Sequence, residues 1–179
     1  DCEPVAARSW LSRLGPQFAW LKPVYLGDDL YANQPMCQAI QAIDGSFILT
    51  CKPSSHKTLA EYVNGVDLDS LSKTEGVGTA KRIYRYRWME GVPIRDGKDA
   101  LIVNWLEIEI AKPNGKVTYR SSFVTDLALN RQTVADIAAC GRARWKIENE
   151  SFNVLKNSGY NLEHNFGHGK DTLASILVT

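Results

Sequence analysis

Pro23-Val24-Tyr25-Leu26-Gly27-Asp28-Asp29 is a short apolar run that stops on two adjacent carboxylates. Its length and composition are those of a buried strand. Pro35 then stands where the first turn of a helix tolerates proline. Met36, Ala39, Ile40 and Ile43 come next with the i, i+3, i+4, i+7 spacing of one helical face. Asp44-Gly45 turns the chain, and Phe47-Ile48-Leu49-Thr50-Cys51 is a second apolar strand. A strand–helix–strand unit of this kind builds a parallel sheet, so the expected fold class is α/β. It puts Asp28 just past the carboxyl end of a buried strand, where open α/β sheets carry their sites. The competing reading makes Asp28-Asp29 a turn whose carboxylate accepts backbone N–H groups. Asp29, and Asp126 further on, stay open as alternatives to Asp28.

Toward the N-terminus, Ala6, Ala7, Trp10, Leu11 and Leu14 share one side of an expected helix over 3–14, which Gly15-Pro16 ends. Toward the C-terminus, Leu59, Tyr62 and Val63 suggest a short helix over 56–66, and the polar stretch 67–79 reads as a loop. Arg82 to Ile94, Leu101 to Ala111 and Lys116 to Leu127 then run β-rich, separated by the hairpin dipeptides Asp96-Gly97 and Asn114-Gly115. A three-stranded antiparallel meander separate from the core sheet is expected over 82–127. Period two puts Tyr84, Tyr86 and Trp88 on one face of its first strand and Arg85 and Arg87 on the other. Those arginines could meet phosphate oxygens. They could equally pair across the hairpin with Glu107 and Glu109, which is the favoured reading.

The last informative stretch runs from Arg142-Ala143-Arg144-Trp145-Lys146-Ile147-Glu148 on to Lys156. Thr133-Val134-Ala135-Asp136 looks like a capping box with Asp in place of Glu. Val134, Ile137, Ala138, Trp145, Phe152 and Leu155 recur at helical spacing, and Glu148 falls inside that stripe. A carboxylate on a packed helix face is costly unless neutralised. Arg144, one turn earlier, could do it as a plain ion pair, and so could a divalent metal. His164 and His168 are four apart, but Gly167 and Gly169 argue against a helical metal pair there. A glycine-rich loop carrying Lys170 could touch phosphate instead.

Composition sets outer bounds. The 179 residues are 44% hydrophobic and 23% charged, ordinary values for a globular protein. A net charge of +1 means any basic surface must be local. Cys2, Cys37, Cys51 and Cys140 lack CxxC spacing, which argues against a zinc site or a disulfide framework and for reduced thiols in a cytoplasmic setting. No apolar run approaches the roughly 20 residues of a membrane span. The chain opens on Asp1-Cys2-Glu3 without methionine and stops in the apolar run Leu173 to Val178, so a piece of a longer protein is expected.

With Asp28, the Arg144-Trp145-Lys146-Ile147-Glu148 segment and the 159–170 loop in view, the chain resembles the C-terminal part of DDE transposases of bacterial insertion sequences, in the Y-R-E-K signature group. The resemblance covers most of the chain and is most specific over Tyr25 to Tyr31 and Phe123 to Lys170. It implies an RNase H-like core, incomplete at its N-terminus, with an antiparallel β insertion before the last long helices. The implied domains are 1–66 as partial core, 67–127 as the β-rich insertion and 128–179 as core helices carrying Glu148. Asp28 would be the second aspartate and Glu148 the glutamate of a set that binds Mg²⁺ or Mn²⁺. Arg144 matches the signature arginine, four before the glutamate. Arg142, Lys156 and Lys170 would join it in contacting DNA. The implied reaction is strand cleavage and joining at the ends of a mobile DNA element. The implied partners are double-stranded DNA, both element ends and target, and a second copy in a synaptic complex. The alternative is a relic of the same fold that binds DNA or serves as a scaffold without catalysis. Gly141 stands where the signature has Tyr, and Leu155 where it has Lys, with Lys156 one position late. No strand bearing the first aspartate precedes Tyr25, so the 179 residues alone are expected not to cut or join DNA.

Overall fold

The computed structural model describes residues 3–146 and Val154. By contacts the chain divides into two compact units, Asp1–Arg142 and Ala143–Thr179. The order of elements in the described part is α1 (Glu3–Leu14), a 3-10 segment (Gly15–Leu21), β1 (Val24–Gly27), α2 (Gln34–Gln41), β2 (Ser46–Thr50), α3 (Lys57–Asn64), β3 (Asp69–Glu75), a short 3-10 turn (Gly78–Ala80), β4 (Arg82–Pro93), β5 (Ile102–Ala111), β6 (Val117–Thr125) and α4 (Val134–Lys146).

One mixed six-stranded sheet runs in the order β1-β2-β6-β5-β4-β3. β1 and β2 are parallel, with Val24 opposite Ser46 and Gly27 opposite Leu49. The strand–helix–strand unit is therefore present as read. Asn33 starts its helix by accepting the Met36 N–H on its side-chain oxygen at 3.1 Å, with proline in the first turn. The other strand pairs are antiparallel. Two expectations change here. β6 pairs directly with β2, through Ile48–Thr125, Leu49–Val124 and Thr50–Phe123, so the meander extends the core sheet instead of standing apart from it. The stretch 67–79, expected as a loop, contains β3. That strand bonds on one side only, has six of seven residues exposed and leaves only Leu71 half-buried. A polar edge strand has no buried face to impose alternation, and its charges discourage further pairing.

Apolar residues cover both faces of the sheet. On one, Phe47, Leu49, Trp105 and Val124 pack with Leu11 of α1, Met36 and Ile40 of α2, and Leu59 and Val63 of α3. On the other, Ile48, Leu106, Ile108 and Phe123 pack with Val134, Ile137 and Ala138 of α4. Phe47, Ile48 and Leu49 all lie below 3% exposure, as expected of an interior strand buried on both faces. The helical stripes are narrower than the sequence pattern suggested. Trp10 is 47% exposed and Trp145 57%. The capping box also differs. The Thr133 hydroxyl donates to the Ala128 carbonyl, and the Asn130 side chain accepts from the N–H groups of Gln132 and Thr133. Asn130 thus organises the approach to α4, a role that any turn Asn can take.

Candidate functional site

Because β1 and β2 are parallel, Asp28-Asp29 and Cys51-Lys52 leave the sheet at the same edge. Gly27 makes that exit possible. A Cβ on it would lie 2.7 Å from Leu49 Cδ2 and 3.2 Å from Tyr31 Cβ. The two aspartates then take different tasks. Asp28 Oδ1 accepts the Leu30 N–H at 3.0 Å, an Asx turn, and its Oδ2 accepts no hydrogen bond from the described residues. Asp29 Oδ1 accepts the Lys52 N–H at 2.6 Å and lies 3.4 Å from His56 Nε2, with both side chains largely buried. Asp29 therefore ties the end of β1 to the end of β2, while Asp28 keeps an oxygen available. Asp126 sits at the opposite end of β2, where its Oδ1 accepts the Phe47 N–H at 2.9 Å. It cannot stand in for Asp28 without unpicking that end of the sheet.

Tyr31 completes the turn. Its hydroxyl donates to Glu3 Oε1 at 2.5 Å, joining α1 to the loop. That bond, then burial, then the charges of Glu3 and Asp28 push its pKa up to about 12. An apolar cavity of about 360 Å³ opens beside it, with Trp10, Tyr25, Leu26 and Met36 in its wall. β1 is an edge strand, so among the described residues its outer side pairs with nothing.

The arginine face of the meander follows the pairing reading. Arg85 lies opposite Glu109 and Arg87 opposite Glu107. Arg85 Nη1 reaches Glu109 Oε1 at 2.6 Å, and Arg87 uses Nε and Nη2 on Glu107 Oε1 at 3.1 and 2.6 Å. Arg120 of β6 adds a bond from Nη2 to Glu109 Oε2, a partner the sequence reading missed. Its only signal was its period-two position opposite Glu109 on the third strand. The Arg85 hydrogen bond, opposed by burial and seconded by Arg120, holds the Glu109 carboxyl below the usual carboxylate range.

Of the other site residues, Arg142 is described with its guanidinium 4.8 Å from the centroid of the Tyr119 ring, a cation–π contact. Arg144 and Lys146 lie in α4, close to where the continuous run of described residues ends. Glu148, Lys156 and Lys170 lie outside the described residues, as do His164 and His168. Gly141 packs on Phe123, and a Cβ there would meet three ring atoms at 2.8 to 3.0 Å. Cys37 and Cys51 are buried, and burial pushes each thiol up to about 12, with the charges of Asp126 and Asp29 adding to it. Neither is a thiolate nucleophile. Among the described residues no cluster of three His, Cys, Asp or Glu side chains could hold a metal, and no helix is long and apolar enough to cross a membrane. No family model matches the chain, and no curated protein matches it.

Proposed function

We propose that this chain is part of a metal-dependent enzyme that cleaves and joins DNA, a transposase of the DDE type with an RNase H-like core. The observation that carries the reading is Asp28: a carboxylate with one oxygen uncommitted among the described residues, immediately after a parallel strand, at the edge it shares with the end of β2. A hard oxygen donor of this kind suits Mg²⁺ or Mn²⁺, which bind through one or two carboxylates and keep several waters. Asp28 would hold the ion together with Glu148. When bound, it supplies Lewis-acid stabilisation of the phosphoryl oxygens. Asp29 keeps the Asp28 turn in place through Lys52. Arg144 orients Glu148 or holds a phosphate, and Arg142, Lys156 and Lys170 bind the DNA backbone. A third carboxylate is required, and the side of β1 that pairs with nothing among the described residues is where a strand carrying it would add, beside Asp28. Two copies would act together on paired element ends, in the bacterial cytoplasm.

A second reading has its own support. The Asx turn gives Asp28 a structural role without any metal, which suits a DNA-binding or scaffold relic of the same fold. Asp28→Asn separates the two, because the amide oxygen can still accept the Leu30 N–H while the ligand charge is gone. With Mn²⁺ as a paramagnetic probe on the isotope-labelled chain, the amide signals of Gly27 to Leu30 should broaden in the parent and not in Asp28→Asn. In a protein in which the third carboxylate is also present, Glu148→Gln should abolish Mg²⁺-dependent cleavage of element ends and leave DNA binding nearly intact. Normal cleavage by Glu148→Gln would end the transposase reading of that residue, and equal broadening in Asp28→Asn would end the metal reading of Asp28.

A further inference from the structure

Beside the Asp28-Asp29 turn lies a cleft of about 230 Å³, with Thr50, Lys52, Pro53, Glu107, Arg120 and Ser122 in its wall. The metal chemistry proposed for Asp28 does not use it. Its depth comes from the meeting of two segments. One is the turn after β2, pinned at Lys52 N–H by Asp29 Oδ1. The other is the uncovered stretch of sheet beyond α3, where β5 and β6 carry the charged ladder. The charges there do not cancel. Three guanidinium groups, of Arg85, Arg87 and Arg120, face two carboxylates, of Glu107 and Glu109. One positive charge is left over, and Lys52 adds a second. The Glu107 carboxylate in the wall is already neutralised by the two bonds from Arg87. Arg120 is 59% exposed at its side chain and spends Nη2 on Glu109, so most of the five donors of its guanidinium remain for a ligand. The Lys52 side chain is exposed, and among the described residues its ammonium group makes no ion pair.

We infer that this cleft is a phosphate subsite for the backbone of a nucleic acid, with Lys52 and Arg120 as its two cationic walls. The volume is below that of a drug-sized ligand pocket and suits one phosphodiester group with its water. A fork of guanidinium donors beside an ammonium group is the usual chemistry for such an oxyanion. Arg87 and Arg85 continue the row of guanidinium groups along β4, so a polymer of phosphates meets positive charge beyond the first contact, where a free ion would not. The site deepens the proposed DNA function and rests on it. Because Lys52 is tied to Asp29, a phosphate held here sits next to the turn that offers Asp28.

The test uses the 179-residue chain, a fluorescently end-labelled 20-base-pair duplex read by anisotropy across a salt series, and inorganic phosphate as competitor and as an NMR titrant. Lys52→Gln keeps the backbone N–H that Asp29 holds, so the turn should survive. It should weaken duplex binding by roughly five- to ten-fold at low salt and flatten the salt dependence by about 0.9 in slope, the share of one phosphate contact. Arg120→Gln should do the same, while Lys98→Gln, with the same charge change in the turn between β4 and β5, should alter binding less than about two-fold. Phosphate should shift the amide signals of Lys52 and Ser121 in the parent and not in Lys52→Gln. Lys52→Gln binding the duplex like the parent with an unchanged slope overturns the subsite, and so does a parent that binds no duplex. Phosphate shifts at Lys52 without matching shifts from the duplex would mark a free-anion site and overturn the nucleic-acid assignment. Failure of the metal reading is seen separately, in the Mn²⁺ broadening of the Gly27 to Leu30 amide signals, a measurement that needs no duplex.

Discussion

Replacing Gly141 by alanine sets two effects of known sign against each other. In an open helix interior, Gly→Ala stabilises by about 1 kcal/mol, since alanine has less backbone freedom to lose. Gly141, however, lies in the middle of α4 directly over Phe123, and a Cβ would stand 2.8, 2.9 and 3.0 Å from Cε1, Cδ1 and Cζ of that ring. Real Cβ contacts are longer, so either the ring or the helix has to shift. The ring has little room, being 1% exposed among Leu106, Ile108 and Val134. Overpacking a filled core costs roughly 1–3 kcal/mol. The clash therefore outweighs the helix propensity, and Gly141→Ala should lose about 1 kcal/mol net, close to a 2–4 °C fall in Tm for a chain of this size. Urea unfolding followed by tryptophan fluorescence measures it. Phe123→Leu alone should also destabilise, yet the double variant should be more stable than the sum of the two, with a coupling of at least about 0.5 kcal/mol. Gly141→Ala raising stability by about 1 kcal/mol would show that α4 is not seated on Phe123 through that glycine. Tyrosine at 141 should be worse than alanine, because a ring there would meet Phe123 with far more than a Cβ.

Two further outcomes rest on the same geometry. Glu109 is held as a carboxylate by Arg85 and Arg120, so its folded pKa lies below its ordinary value of 4.5. The stability this contributes is present above that ordinary value and is lost as pH falls through the lowered one. Glu109→Gln should cost about 1 kcal/mol at neutral pH, held down by the exposure of the arginines, and the gap to the parent in urea midpoint should close as pH drops below 4.5; a gap that stays constant into strong acid would contradict the pairing. Asn33→Ala removes the acceptor for the Met36 N–H and should cost about 1 kcal/mol in thermal unfolding, with Asn33→Asp recovering most of it; an unchanged Tm would show that the cap adds nothing.

Local pattern alone determined the two parallel strands, the helix between them, the three long strands with their Asp-Gly and Asn-Gly turns, and the partners of Arg85 and Arg87. Each of these rests on a period, 3.6 or 2, or on a turn dipeptide, and such signals need only neighbours in sequence. β3 left no such mark, because an edge strand exposed on both faces can be polar throughout. Tertiary structure alone decided that β6 joins β2, since strand adjacency depends on which apolar faces must be buried together and not on any local period. It also divided the work between Asp28 and Asp29. The two carboxylates are equivalent in the sequence, and only the arrival of Lys52 at the end of a neighbouring strand commits one and leaves the other open. The same holds for Arg120, whose partner is eleven positions away in sequence and directly across the sheet in space. Gly141 is the sharpest case: by propensity it is a weak point in a helix, and only the ring of Phe123 beneath it explains why a larger residue would be worse there.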